Sequence, residues 1–518
     1  MRVGPELIVG LVGAAGTDLK RVGELFDREF ARVDYKTDLV RLSDLLLDCD
    51  KYQHLREVQS GPQDQRIRSL MDAGDDLRRT SVRGDAVALL AIGKIRQIRQ
   101  DKGGGEGQSL PRHAFLLHSL KHPAELQTLR EVYGDAFVAV SVYTPRAQRI
   151  KALSERISRS RSDYMPETYK ETATGLIDED EKGKGGDLAQ NVRDTFPDAD
   201  LFIDAGKPDN LPQQVTRLVE ILFRHPYRTP TADECGLFYA KAAALRSADL
   251  ARQVGAVITT SEGEIIAAGC NEVPKAGGGS VWEGEDRDKD KRDFVIGHDS
   301  SARMKHEILA ELFGRLRDGG WLRNDLSQSD PSALAGKALF DPTAPTLAGT
   351  RVTSIIEFGR IVHAEMSALT DAARRGLPVK DTTLYCTTFP CHMCARHIIA
   401  SGIRRVVYIE PYPKSMAKDL YKGSLDVDDD PEADGDAVSF RPFVGVSPRR
   451  YLAFFEMPRR KDARGHVVEW IPSQARLRVK QYPTYLDVEA ALIAVMSERR
   501  VEWGLVPGKL SMEDHDHG

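Results

Sequence analysis

The sequence predicts an α/β protein built from two successive units, and three observations carry that expectation. The chain has 518 residues, long enough for two or more domains that each bury a core. Over the first part, short apolar runs alternate with amphipathic runs, the β-then-α order of a parallel, doubly wound sheet. A second α/β run starts near Thr231, after a join at 225–230 that contains two prolines. The expected division is 1–228 and 229–518, with an insert at about 275–350 and a C-terminal extension at about 411–518.

The elements follow in order. Residues 7–12 read as a strand, 18–30 as a helix and 35–42 as strand-like. A helix is expected over 86–99, with Asp85 as its N-cap. A strand over 113–117, a helix over 123–133, a strand over 137–143 and a helix over 146–158 come next. A strand over 199–204 and a helix over 211–223 close the first unit. In the second unit 384–387 reads as a short buried strand, and helical runs over 366–374 and 395–400 are opened by His363 and Cys391. The insert holds a charged run at 283–293, read as a solvated loop, and a helical run at 301–316 whose His306-Glu307 pair reads as helix surface. The insert suits oligomer contacts or an allosteric nucleotide site, and a homo-oligomer is expected. Residues 426–436 read as an acidic surface loop, 440–455 as an additional packed segment and 515–518 as a disordered tail.

Composition excludes several classes. Apolar content of 41% and charged content of 29% are those of a globular protein. A formal net charge of −5 gives no global attraction to nucleic acid. No apolar run approaches a membrane span, and the start lacks the pattern of a signal peptide. Six cysteines in so long a chain do not make a disulfide framework. Cys49, Cys235, Cys270 and Cys386 are expected to be inert buried thiols, and a cytoplasmic location follows.

The chemistry is concentrated in His363-Ala364-Glu365 and Pro390-Cys391-His392-Met393-Cys394. One His and two Cys hold Zn²⁺ with a fourth position open for water. Cys391 and Cys394 fall in the first turn of one helix, where the positive end of the dipole favours thiolates. Glu365 is then a proton carrier and not a ligand. A structural zinc knuckle is the competing reading. It needs a fourth ligand, for which His392 and His397 lie on the same short helix.

On these residues the stretch 231–410 resembles the deoxycytidylate deaminase family of the cytidine deaminase superfamily. The match includes Arg252-Gln253-Val254-Gly255-Ala256-Val257-Ile258, Gly269-Cys270-Asn271, His363 to Ala368 and 384–394. The resemblance implies a cytidine-deaminase-like α/β/α domain. It implies metal ligands His363, Cys391 and Cys394, and Glu365 as the catalytic acid and base. It implies a sugar contact from Asn271, a strand edge under the pyrimidine from Val254 and Ala256, and a backbone acceptor for the 4-amino group near Thr388. The family has Tyr-Asn-Gly where this chain has Cys270-Asn271-Glu272, which alters the neighbouring pocket wall.

The first strand runs into Gly13-Ala14-Ala15-Gly16-Thr17-Asp18, a Gly-rich strand-to-helix turn that can cradle phosphate on backbone N–H groups. It resembles a degenerate P-loop, with Thr17 and Asp18 where Lys and Ser or Thr are expected. The other reading is a tight turn with glycines for packing. Arg156, Arg159 and Arg161 form a lid-like stretch before 182–186, suited to clamping phosphate or to covering a solvated helix face. A P-loop kinase-like domain before a deoxycytidylate deaminase domain is similar to the bacterial anti-phage dCTP deaminase family. That resemblance implies deamination of dCTP, and often dCMP, which depletes the pool an infecting phage needs. It also implies a second nucleotide at the N-terminal domain and, for some members, an inhibitory small RNA. After 410, Lys414 is a candidate phosphate contact. Two other function classes remain: a deaminase that edits RNA or DNA, against which the acidic balance and the lack of a basic, aromatic-studded stripe argue, and a non-catalytic nucleotide switch with structural zinc. A housekeeping, allosteric dCMP deaminase is a further variant.

Overall fold

Six apolar residues, all buried, make the strand β1 (Leu7–Val12), as a central parallel strand covered on both faces requires. The computed structural model of the chain describes residues 5–103, 108–183, 186–284, 290–355, 358–412, 415–427, 434–457, 459–478 and 484–503. Lys414, the 515–518 tail and parts of the 182–186, 283–293 and 426–436 segments lie outside the described residues. The chain forms two compact units, Met1–Glu234 with Phe443–Gly518, and Cys235–Pro442.

The first unit is a sheet with order β12-β5-β4-β1-β3-β2. Its strands are β1, β2 (Lys36–Arg41), β3 (His113–Leu120), β4 (Phe137–Tyr143) and β5 (Leu201–Asp204), all parallel, with the short β12 (Gly445–Val446) antiparallel on the β5 edge. Helix Leu19–Arg32 starts where Asp18 caps the Arg21 N–H. It turns Val22, Phe26 and Phe30 onto a core shared with Val215 and Leu218 of helix Leu211–Leu222. Helix Pro123–Tyr133 has its expected bounds because His122 and Glu125 cap it reciprocally, Ala124 N–H donating to His122 Nδ1 and His122 N–H to Glu125. Helix Ala86–Asp101 also forms, but Asp85 does not cap it. Its carboxylate instead takes Arg83 and Thr128. Among the helices not expected are Gln63–Ser81, Lys170–Glu181 and Tyr485–Glu498. The first is so highly charged that its apolar stripe is thin, and Arg78 is buried within it on Glu125 and Asp75.

The second unit is a sheet with order β10-β11-β9-β8-β6-β7. Strands β6 (Gly255–Thr259) and β7 (Ile265–Cys270) form an antiparallel pair, and β6 runs antiparallel to β8 (Thr383–Thr388). Strand β9 (Arg405–Glu410), β11 (Val438–Pro442) and β10 (Leu425–Val427) continue in parallel. In the insert, helix Ser300–Asp318 lies against helix Pro331–Phe340, and His306 Nε2–H donates to the Ser332 carbonyl at 3.0 Å.

The C-terminal extension departs from expectation. The sequence placed 411–518 with the deaminase-like domain, and 440–455 as one segment. The chain instead gives β11 to the second sheet and β12 to the first. Asp426, expected in a loop, sits in β10. Beyond Pro442 the described residues pack with the first unit: Phe454, Ala475 and Leu477 enter its core, Arg450 pairs with Asp135, and Glu489 pairs with Arg99. A two-residue edge strand carries no periodicity for sequence to reveal.

Arg99 is 4% exposed and holds both Glu6 and Glu489, which are equally buried. Arg99→Met should leave two carboxylates uncompensated in the core and cost about 3–5 kcal/mol. Calorimetry should show the transition of this unit shifted down; an unchanged transition would make the triad energetically idle.

Candidate metal and active site

His363 and Cys391 occupy the N-cap positions of helices Ala364–Arg374 and His392–Ala400, and Cys394 lies in the first turn of the second. Two helix starts therefore converge, and their unpaired N–H groups and dipoles favour negative sulfur. His363 Nδ1 lies 3.3 Å from Cys391 Sγ and 3.5 Å from Cys394 Sγ. The three donor atoms lie within 4.8 Å of one another. A tetrahedral zinc ion, with nitrogen at about 2.0–2.1 Å and sulfur at about 2.3 Å, sets N and S about 3.6 Å apart. The three donors fit zinc, and thiolate with imidazole is the set that selects it over hard cations.

The sheet fixes this geometry from below. Glu272 and Val362 exchange backbone hydrogen bonds in an antiparallel bridge, which ties the Asn271 turn to the residue before His363. Helix Ala364–Arg374 crosses β7 at Gly269, where a Cβ would sit 2.4 Å from the Ala364 carbonyl oxygen and from the Ala368 nitrogen. Only glycine permits that approach.

Glu365 is 4% exposed, and burial raises its pKa above the usual carboxylate range, with Cys391 adding to the rise. A carboxyl with a raised pKa is suited both to accept and to return a proton. Cys391 is held below the usual thiol range by its hydrogen bond with Cys394 and by His363, while Cys394 is pushed up by Cys391 and by burial. A metal held here needs both sulfurs as thiolates, so its binding releases protons. Tyr412 borders the site. Burial, then the Cys391 charge, pushes its hydroxyl up, and Arg252 lies 5.2 Å over its ring.

The other residues singled out by sequence fall nearby. Ala256 is fully buried in β6, between Gly269 and Cys386. Val254 donates its N–H to Asn271 Oδ1 at 2.7 Å. Asn271 Nδ2 donates to Asp249 at 2.6 Å and to the Arg252 carbonyl at 2.7 Å. Both amide protons are therefore committed to protein, and one Oδ1 lone pair remains. Thr388 closes β8 and donates to Glu410 at 3.2 Å. Sequence reasoning gave no role to Asp249, Glu272 or Arg252. Arg252 lay within the matched stretch, but its exposure and its aromatic neighbour come from segments far apart in the chain. Cys49, Cys270 and Cys386 are buried as expected, whereas Cys235 is half-exposed.

The 13–18 turn belongs to the other unit. Asp18 is a helix cap, and the Thr17 N–H donates to the Ala14 carbonyl at 3.1 Å. Gly16 adopts φ +92°, and a Cβ there would meet the Arg149 carbonyl oxygen at 2.7 Å, so this glycine serves helix packing as well as the turn. Gly13, Ala14, Ala15, Gly16 and Thr17 line a cleft with His118, whose imidazole burial pushes down to about 4. Of the three lid arginines only Arg156 lines this cleft. Arg159 pairs with Glu155, and Arg161 is committed to Asp64.

A buried acid beside a His-Cys-Cys zinc site, carried by two helix starts on a mixed sheet, defines a zinc-site α/β unit. Residues 231–410 match the family model of the cytidine and deoxycytidylate deaminase zinc-binding region. The deoxycytidylate deaminase of Enterobacteria phage T4 is 44% identical over 54 residues, 10% of this chain and 28% of that protein. The ComE operon protein 2 of Bacillus subtilis (strain 168) is 40% identical over 53 residues, 10% of this chain and 28% of that protein. The chain thus spans under a third of the length of these relatives. Among solved structures, the dCMP deaminase from the cyanophage S-TIM5 in apo form aligns at 15% identity and TM-score 0.22, over 42% of this chain and 99% of that one. No helix of the described residues is long and apolar enough to cross a membrane.

Proposed function

We propose that the unit carrying His363, Cys391, Cys394 and Glu365 deaminates the cytosine of free deoxycytidine nucleotides, dCTP or dCMP, to the deoxyuridine nucleotides. The observation that carries this reading is Glu365, a buried carboxyl two positions from the His ligand. A purely structural zinc site has no need of it. The chemistry that zinc supplies when bound here is acidification of water. Glu365 takes one proton from the water that attacks C4 and passes it to N3, then takes the proton of the hydroxyl now on C4 and passes it to the departing ammonia as the C4 carbonyl forms. Asn271 Oδ1, with a lone pair left, accepts from a sugar hydroxyl, and Val254 and Ala256 pack under the ring. Arg252, with a half-exposed side chain beside Tyr412, is the described cation best placed for phosphate.

On this reading the enzyme drains the dCTP pool that an infecting phage needs, a role supported by the two-part order of the chain. Restraint by a small RNA, assembly as a homo-oligomer and a cytoplasmic location belong to the same proposal.

The test supplies equal cytosine as dCTP, dCMP, CTP, CMP and a single-stranded oligonucleotide. We expect dUTP or dUMP, poorer turnover of the ribose forms, and no uracil in the oligonucleotide. A polymer-acting enzyme must neutralise many phosphates, and its binding weakens steeply with salt. Deamination of the oligonucleotide with the nucleotides intact would replace this reading with that of an editing enzyme.

A further inference from the structure

The Gly-rich turn after β1 already holds an anion, and it is the protein's own. Asp180 is fully buried in the last turn of helix Lys170–Glu181. Its carboxylate accepts from the Ala15 N–H at 2.7 Å and pairs with Lys121 Nζ at 2.8 Å. Lys121 also donates to the Gly13 carbonyl at 3.0 Å. A carboxylate at a helix C-terminus faces the negative end of the dipole, so its own helix does not favour it there. The turn and the lysine hold it. Ala15 also touches the apolar cluster of Met71, Leu153, Ile157, Leu176 and Ile177, which docks helices Arg146–Ser160 and Lys170–Glu181 over the turn.

Beside this contact runs a cleft of about 250 Å³. It opens past the C-terminal ends of β1 and β3, where the sheet order β4-β1-β3 places successive crossovers on opposite sides of β1. Such switch points are where open α/β sheets bind ligands. Its lining includes the cations Lys121, Arg66 and Arg156, and Arg66 Nε is buried without a hydrogen-bond partner. Burial, the largest influence, holds Arg156 below its usual range, and Asp18 is the acid that offsets this. Leu42, Leu46 and Ile67 also line it. At the floor Thr17 is 9% exposed, and its Oγ1 has no partner.

We propose that this cleft is a nucleoside polyphosphate site whose phosphate end Asp180 keeps closed. The bound phosphate takes over the Ala15 N–H and Lys121 from the Asp180 carboxylate, and helix Lys170–Glu181 lets go of the turn. Two anions cannot both accept from the single Ala15 N–H at hydrogen-bond distance, so occupation and closure exclude each other. Arg66, Arg156 and the Thr17 hydroxyl receive the remaining phosphate oxygens, and Leu42, Leu46 and Ile67 pack against the base.

The test is calorimetric titration of the full chain with inorganic triphosphate and with ATP and GTP, neither of them a pyrimidine nucleotide, so the outcome is independent of the deaminase reading. Asp180→Asn should bind triphosphate at least tenfold more tightly than wild type, and Lys121→Met should bind none. At least one nucleotide should bind more tightly than triphosphate alone. Equal affinity of wild type and Asp180→Asn, or binding by neither, overturns the proposal, and binding that survives Lys121→Met does too. If no nucleotide exceeds triphosphate, the nucleoside part is wrong. Should Asp180→Asn not fold, amide exchange of the wild type with saturating triphosphate decides. The turn at 13–17 should slow and the helix at 170–181 should quicken; no change at 170–181 ends the latch.

Discussion

Glu365→Ala should abolish deamination, by at least about 10³-fold, while the protein keeps roughly one zinc per chain. On the proposed reading the substitution deletes the group that carries protons between water, N3 and ammonia, and it leaves His363, Cys391 and Cys394 untouched as donors. Stability should change little. The lost carboxyl is buried with a raised pKa, so the fold gains nothing from its charge, and alanine suits the first turn of helix Ala364–Arg374. Glu365→Gln, which keeps the shape, should be as inactive. Metal analysis beside turnover decides. Loss of zinc from either variant would mean that Glu365 holds the metal and does not move protons.

Cys391→Ala should lose the metal itself. Two donors remain where three stood, and zinc binding is coupled to folding of the site that holds it. A site held at 1,000 times its Kd for zinc contributes about 4 kcal/mol to stability, and the variant forfeits it. The two helix starts at His363 and Cys391 would then face each other without an ion to join them. The calorimetric transition of the Cys235–Pro442 unit should fall. A chelator should produce the same fall in the wild type and none in the variant. A Cys391→Ala protein that keeps stoichiometric zinc would remove Cys391 from the ligand set.

The zinc site was legible in the sequence because short-range geometry builds most of it. Cys391 and Cys394 are three apart, so one helical turn brings their sulfurs together, and His363 and Glu365 are fixed by the start of a second helix. Helix Pro123–Tyr133 and strand Phe137–Tyr143 were legible for a similar reason: a Pro start, a Gly stop and an unbroken apolar run act within a few residues.

Where local rules ended, only the folded chain decided. Asp180 reaches the Ala15 N–H across 165 positions, and no pattern near either residue announces it. Arg161, read as part of a phosphate clamp, is taken by Asp64, 97 positions away. Asn271, marked for a sugar, spends both amide protons on Asp249 and Arg252. The segment after Pro442 goes to the first unit because Glu489 compensates Arg99 and Gly445–Val446 finishes an edge of β5. Backbone preference and helix period act over one or two turns, and so they wrote the elements and the metal ligands into the sequence. Which charge meets which cradle depends on closing long loops and burying charges in pairs, and that is settled by the tertiary structure.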